Sequence, residues 1–512
     1  MKKPFVVIVL LMNIVSCSPS HSSSSDLKSS SSSSITSSNS ESSSAHFKAY
    51  DYDEKIFESA PNEYTFKNGS DYTFPIRTKG STKLTYTLSD DGTYYIVSNS
   101  NRTLSDNNLV IPSTYNGLPV KEIASEAFVE LNWLESVYIP SSIVKIGDGA
   151  FSMSALKKVF YDAENVNDFN ARNWVFYPCD NNEGMDIYFG PHVKRIPNRL
   201  FFPLSTEPDK NPLIKSVTFD KDSCLEEIGD YAFYKSFQLQ EIYLPNSVKQ
   251  IGDYAFYQSS LKELILPSSL VFIGSYCFAF SNNKDIKFNK SLSYVGDYAF
   301  YGNSELINLD LSETNLESIS KYSFSHLDNV TYLALPGNVK VINDYAFSNL
   351  TSLKKLDLSS FNLSLFEGAF SELTNLTHLK LGSINAFGNN IFLNLNNIKE
   401  LNFSGDYVSN LSISSGFFKN INVSDLRVFV GTGIKELPSY LFYTSSFADD
   451  SLAIKEMVLS PSLKTIQNNA FYNMNVQFIS YLGNANNYSS LEINNNVQLN
   501  NSLISYYEGG LK

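Results

Sequence analysis

The hexapeptide Ile251-Gly252-Asp253-Tyr254-Ala255-Phe256 recurs along this chain, and that recurrence limits the fold more than any composition could. Its closing phenylalanine returns at Phe233, Phe256, Phe278, Phe300, Phe324, Phe347, Phe370 and Phe392, at intervals of 23, 22, 22, 24, 23, 23 and 22. Further copies close on Phe128, Phe151 and Phe201 upstream and on Phe418, Phe442 and Phe471 downstream. A unit this short cannot bury an apolar face alone, so successive units must stack into one elongated core. The expected product is a long surface, not a pocket.

Most units carry a second element, as in Leu239-Gln240-Glu241-Ile242-Tyr243-Leu244 and Leu261-Lys262-Glu263-Leu264-Ile265-Leu266. This L-x-x-L-x-L pattern at a period in the twenties is the mark of a leucine-rich repeat solenoid. The alternation predicts a short strand, and stacked units predict parallel pairing at about 4.8 Å. Pro245, Pro267 and Pro336 follow the strand, where a missing N–H ends a ladder cheaply. The expected fold is a right-handed, β-rich solenoid of short parallel strands and single helical turns.

Three residues before the phenylalanine stand Ser125, Asp148, Asn198, Asp230, Asp253, Ser275, Asp297, Asp344, Asn389, Ser415, Ser439 and Asn468. Only Lys321 and Glu367 break the series. These types share the ability to accept a backbone N–H bond, so each is expected to cap a helical turn. Free exchange of Asp with Ser and Asn argues against a calcium ladder, which needs oxygen ligands in number.

A net charge of −13 and a pI near 5.0 disfavour nucleic acid and anionic membrane surfaces as partners. Cys277 takes the alanine place of its repeat, and a Cys179–Cys224 disulfide stays open. Lys2 and Lys3, the apolar run from Phe5 to Met12, and Ile14-Val15-Ser16-Cys17 read as an export signal too short to span a bilayer. Its end resembles a bacterial lipobox, which implies lipid attachment at Cys17. Residues 18–45 hold 18 serines in 28 positions and are expected to form a flexible tether reaching roughly 30 Å.

Residues 46–108 read as an irregular tyrosine-rich segment and a cap, with a hairpin turning at Asp91-Gly92. Repeats are expected over 109–475, with insertions near 162–183, which contains Trp174, and 203–212. Residues 476–512 lose the phenylalanine period and read as a terminal cap or frayed tail.

Ile111-Pro112-Ser113-Thr114-Tyr115-Asn116-Gly117-Leu118-Pro119-Val120, followed by Ile123 and Ala127-Phe128, resembles the opening of a BspA-type leucine-rich repeat protein. The Ile-Gly-Asp-Tyr-Ala-Phe copies are similar to that family's repeat over roughly residues 84 to 475. The resemblance implies a surface-exposed bacterial protein that adheres to host matrix proteins or to other cells. The turns at Leu306–Leu311 and Leu353–Leu358 depart from it, each followed by an Asn (Asn315, Asn362) of the ordinary leucine-rich type.

No H-x-x-x-H pair, C-x-x-C pair, G-x-S-x-G elbow or phosphate-cradling glycine loop occurs, and no histidine is expected beside a carboxylate that would tune it. No catalytic residue, metal or cofactor is expected, and the chain reads as a binding protein, not an enzyme. Outward strand positions include Tyr138, Tyr243, Ile265, Tyr332, His378 and Lys380, an amphipathic set of the kind interfaces favour. Trp174 in its long loop is the candidate anchor. The expected partner is an extracellular protein of the host matrix or another cell, with the membrane reached through the lipid alone. A self-associating surface-layer component and a glycan-binding surface protein are the alternatives.

Overall fold

In the computed structural model the described residues are 71–507, except 78, 101, 172–173, 177–182, 203–213, 405–416, 422 and 444–452. All belong to one compact unit, Asp51–Lys512. Cys17, the tether and Cys179 lie outside the described residues.

Each L-x-x-L-x-L element sits on the first side of a coil, mostly as a short strand paired in parallel with the next. Ser136–Ile139, Lys158–Tyr161, Met185–Phe189 and Ile214–Phe219 form one run. Another run passes from Lys355–Leu365 through His378–Phe387, Glu400–Phe403, Leu426–Val430 and Ala453–Leu459. A second side carries two-residue strands, such as Glu227–Ile228, Gln250–Ile251 and Phe272–Ile273, also in parallel register. Their isoleucines turn inward and are fully buried.

The third side differs from the expected helical turn. Among the described residues the only α-helix is Ala485–Ser489. At most turns the described residues two before and two after the phenylalanine take left-handed φ instead, as at Tyr254 (55°) and Gln258 (54°). A helix would aim these N–H groups back along its own turn. The left-handed positions rotate alternate N–H groups toward the neighbouring coil, so Tyr254 N–H donates to Ser275 O, Phe256 to Cys277 O and Gln258 to Ala279 O, each at 2.9 Å. A left-handed residue costs of order 1 kcal/mol, and a new backbone bond offsets about as much.

This corrects the capping role of Asp148, Asp230, Asp253, Asp297 and Asp344, since no helix is there to cap. Where a bond is made, the carboxylate accepts the N–H of the matching residue one coil on. Asp253 N–H donates to Asp230 Oδ1 at 2.8 Å, Ser275 to Asp253 at 2.7 Å, Lys321 to Asp297 at 3.1 Å and Glu367 to Asp344 at 3.2 Å. Lys321 and Glu367 are tolerated because they need only donate. The preceding glycine makes room, because a Cβ on Gly252 would lie 2.3 Å from Asp230 Oδ1. Asp148 is exposed, and its counterpart at 173 lies outside the described residues.

The core is a file of phenylalanines stacked coil on coil. Ring centroids stand 5.4 Å apart from Phe128 to Phe151, 5.1 Å from Phe233 to Phe256 and 5.6 Å from Phe442 to Phe471. Phe176 belongs to the file, 5.5 Å from Phe151 and 5.3 Å from Phe201. The gap of 50 is therefore two ordinary coils, and much of 162–183 is repeat, not insertion. Val175 in the alanine place hid it.

The hairpin at Asp91-Gly92 forms, pairing Thr85–Leu88 with Tyr95–Ser98, and Tyr95–Ser98 continues in parallel onto Leu118–Ile123. The tail is not frayed at its start. Asn475–Tyr481 and Leu503–Tyr506 extend the main sheet, and Glu492–Ile493 pairs with Thr465–Ile466, so the solenoid runs through Tyr506.

Candidate interaction face

Outward residues of the strands form columns, one residue per coil. Tyr138, Phe160, Tyr188 and Thr218 pair in register in the first column. Tyr243 holds the matching place in Leu239–Leu244, followed by Ile265, which pairs with Lys287. Tyr332 does not join them. It pairs with Asn308 in the neighbouring column, which also contains Glu263 and Asp285. His378 lies in that second column, and Lys380 in the first.

Tyr138 points outward but is buried, 3% exposed. An extended segment preceding the hairpin covers it. Phe74, itself buried, packs on Tyr138 at 5.7 Å and on Phe160 at 6.1 Å, and Tyr72 packs on Tyr188 at 5.2 Å. Arg77 places its guanidinium over the Phe160 ring at 5.8 Å. The backbone is tied down as well: Phe74 N–H donates to Asp220 Oδ2 at 2.6 Å and Lys221 N–H to Tyr72 O at 2.8 Å. Burial, with Tyr188 and Asp220 nearby, pushes the Tyr72 phenol up to about 12. The strap thus runs along the solenoid axis, across the strands, from the coil of Asp220 back to that of Val110, where Ser81 N–H donates to Val110 O.

Past the strap the ladder parts. Leu239–Leu244 has the strand sequence, with Leu239 and Ile242 buried, yet among the described residues no backbone bond joins it to Ile214–Phe219. The parting opens a groove of about 550 Å³ lined by Lys215, Ser216, Glu241, Tyr243, Glu263 and Ile265, among others. Glu241, Glu263 and then Asp285 occupy successive coils of one column and form no ion pair among the described residues. Burial and the neighbouring Glu263 raise the Asp285 carboxyl above its usual range.

Further on, the same columns pair their charges internally. Lys380 Nζ lies 3.4 Å from Asp357, His378 Nε2 3.6 Å from Glu400, and Arg427 Nε 3.9 Å from Glu456. Burial lowers His378 below the usual histidine value against the pull of Glu400, and lowers Lys380. His192 also meets a carboxylate, contrary to expectation: Asp162 Oδ2 is 2.8 Å from its Nδ1, and Asp162 also accepts the His192 N–H. Burial raises Asp162 even so. Two histidines therefore stand beside acids, through contacts 30 and 22 residues distant in sequence that a local pattern does not reveal.

Trp174 is 45% exposed but belongs to the phenylalanine side of the coil, two places before Phe176, so it does not line the groove with Tyr243 and Ile265. Its place is that of a surface row absent from the expectations, in which Tyr231, Tyr254, Tyr276, Tyr298, Tyr322 and Tyr345 stack at 4.5 to 4.9 Å. The tyrosine of the repeated hexapeptide was the available signal. Cys224 is a free thiol, donating to Pro191 O at 2.9 Å, and Cys277 is buried as its alanine place implied.

The model of the BspA-type leucine-rich repeat region matches residues 95–207, 226–327, 317–448 and 407–505, with six copies. No curated protein matches the chain by sequence. Among solved structures, a leucine-rich repeat protein from Bacteroides ovatus is 17% identical, with 85% of this chain and 100% of that one covered and a TM-score of 0.40. A leucine-rich cell surface protein from Faecalibacterium prausnitzii is 16% identical, covering 83% and 99%, TM-score 0.31. The pneumococcal vaccine antigen PcpA is 18% identical, covering 86% and 100%, TM-score 0.34.

Proposed function

This chain belongs to the family of BspA-type leucine-rich repeat proteins, and from that premise we propose that it is a cell-surface lipoprotein whose strand face binds an extracellular protein. The partner is a host matrix protein or a protein of a neighbouring cell, so the activity is adhesion. The lipid at Cys17 and the serine tether of residues 18–45 hold the solenoid out from the membrane. No chemistry is assigned to it; it is a scaffold and not an enzyme.

One observation carries this reading. The strand face already holds an extended polypeptide, the strap at Tyr72–Arg77, on the same column that continues uncovered at Tyr243 and Ile265. A surface that buries Phe74 and satisfies the strap's backbone is suited to a peptide of a partner. Surface plasmon resonance of the full chain over immobilised host matrix proteins tests it. Saturable binding that falls on substitution at Tyr243 and Ile265 is expected, and binding to none of the panel would sink it.

Self-association is the second reading. Leu503–Tyr506 is exposed at all four residues and pairs on one side only among the described residues. Light scattering across a concentration series separates it from adhesion.

A further inference from the structure

The open groove has a chemistry more specific than a generic protein surface. Its floor continues the column on which Phe74 and Tyr72 lie, with Tyr243 half-buried and Ile265 beside it. Its wall holds Glu241 and Glu263, and Asp285 follows them in the same column on the next coil, at a spacing of about 4.8 Å. Carboxylates at that spacing repel one another. Of the two lysines that line the groove, Lys262 donates its Nζ to Gln240 Oε1 at 3.0 Å, and neither it nor Lys215 forms an ion pair with this acidic row among the described residues. Its edges are main-chain groups of the strand Ile214–Phe219 and of the segment Leu239–Leu244, which do not pair with each other, the template onto which an extended segment adds.

We propose that this groove takes an extended segment of a partner protein, with an aromatic side chain seated on Tyr243 and Ile265 and a Lys or Arg held by Glu241, Glu263 and Asp285. The proposal rests on the strand-face reading above and specifies its ligand. The strap is the template for its aromatic half and shows a cation carried on the same segment. Phe74 shows an aromatic side chain from an extended segment buried on this column, and Arg77 shows a cation from the same segment placed over it. Continuity also fixes the direction, since Tyr72 is tied to Lys221, next to the coil where the groove opens. The chain's own upstream residues are poor occupants on charge. Residues 51–70 carry five Asp or Glu against two Lys, which the acidic row repels.

The test uses the full chain and two fluorescent octapeptides, one alternating Phe and Lys between threonines, the other with Glu in place of Lys. Anisotropy should show the basic peptide binding, weakening with salt, and the acidic one not. Joint Glu241→Lys and Glu263→Lys substitution should weaken the basic peptide by roughly tenfold or more and favour the acidic one, as loss of a charge-assisted contact does. Joint Tyr243→Ser and Ile265→Ser should weaken the basic peptide at an unchanged melting temperature. Equal affinity for both peptides, or indifference to the charge reversal, overturns the proposal. A photo-cross-linker at position 243 adds a second arm: a cross-link from the unliganded protein to its own residues 51–70 would overturn it too. Matrix binding that survives the charge reversal removes this groove but leaves the adhesion reading standing. Peptide binding without any matrix binding does the reverse.

Discussion

Tyr138 and Tyr243 hold the same repeat position on the same face, yet one is sealed beneath the strap and the other is left half open. The difference does not come from the repeat, which supplies an aromatic residue in both places. It comes from a segment outside the repeat that covers the coils of Tyr138, Phe160 and Tyr188 and is tied down at Asp220 and Lys221. An outward aromatic residue on a solenoid is therefore structural or functional according to what lies over it. The largest effect should show that contrast directly. Tyr138→Ala should cost about 3 kcal/mol, as for a buried ring, while Tyr243→Ala should stay within about 0.5 kcal/mol, as for a surface change. Urea melts of the two variants measure both, and equal losses would mean that the groove is closed in solution.

The tie at Asp220 should rank next. Removing its carboxylate leaves the Phe74 N–H without its buried acceptor, a loss of about 1–3 kcal/mol. The loss should fall on the strap and not on the whole solenoid. Hydrogen exchange of Asp220→Ala should therefore speed at Phe74 and Lys221, leaving amides of the phenylalanine file protected. Uniform acceleration would show that the strap and the coils unfold as one unit.

These contrasts also mark what could be read before the structure. The phenylalanine period and the leucine alternation sufficed for the stacked core, because both report burial within one coil and burial leaves a periodic trace. The strap left none. Phe74 and Asp220 are 146 residues apart, and nothing in Tyr72-Thr73-Phe74 distinguishes a covering segment from an irregular one. The parted ladder was equally hidden, since Leu239–Leu244 has a full strand pattern. At the aspartates the residue type was informative and the partner was not. Acceptance of an N–H is the same requirement whether the donor is in the same turn or the next coil. Gly252 and the exceptions Lys321 and Glu367 were the clues to the second arrangement. Trp174 is the larger ring, but Phe176 two residues on carries the phase.

The aspartate row gives the third effect. Asp253→Ala orphans the Ser275 N–H and should cost about 1 kcal/mol. Asp253→Asn retains the acceptor and should be nearly neutral. Lys321→Ala keeps the backbone donor and gives up an exposed ion pair to Asp344 at 3.4 Å, so it should also be nearly neutral. Denaturant melts decide between this arrangement and a role for charge, which would make the Asn variant as costly as the Ala variant.

The smallest effect separates the two halves of the strand face by their charges. Asp357 and Glu400 face Lys380 and His378, whereas Asp285 faces another acid, Glu263. Its folded carboxyl is raised by burial first and then by Glu263. A carboxyl raised on folding binds more protons in the folded state than in the unfolded one between the two pKa values. Its destabilising contribution is complete above the folded value and disappears as pH falls to the unfolded value, near 3.9. Asp285→Asn should thus be neutral or stabilising at pH 7, and its advantage over the native chain should shrink as the melt is repeated toward pH 4. Asp357→Asn should destabilise at pH 7, because it removes the carboxylate charge 3.4 Å from the half-buried Lys380. A destabilising Asp285→Asn would show that the acidic row is already paired within the protein, and the groove would then have no charge left to offer a partner.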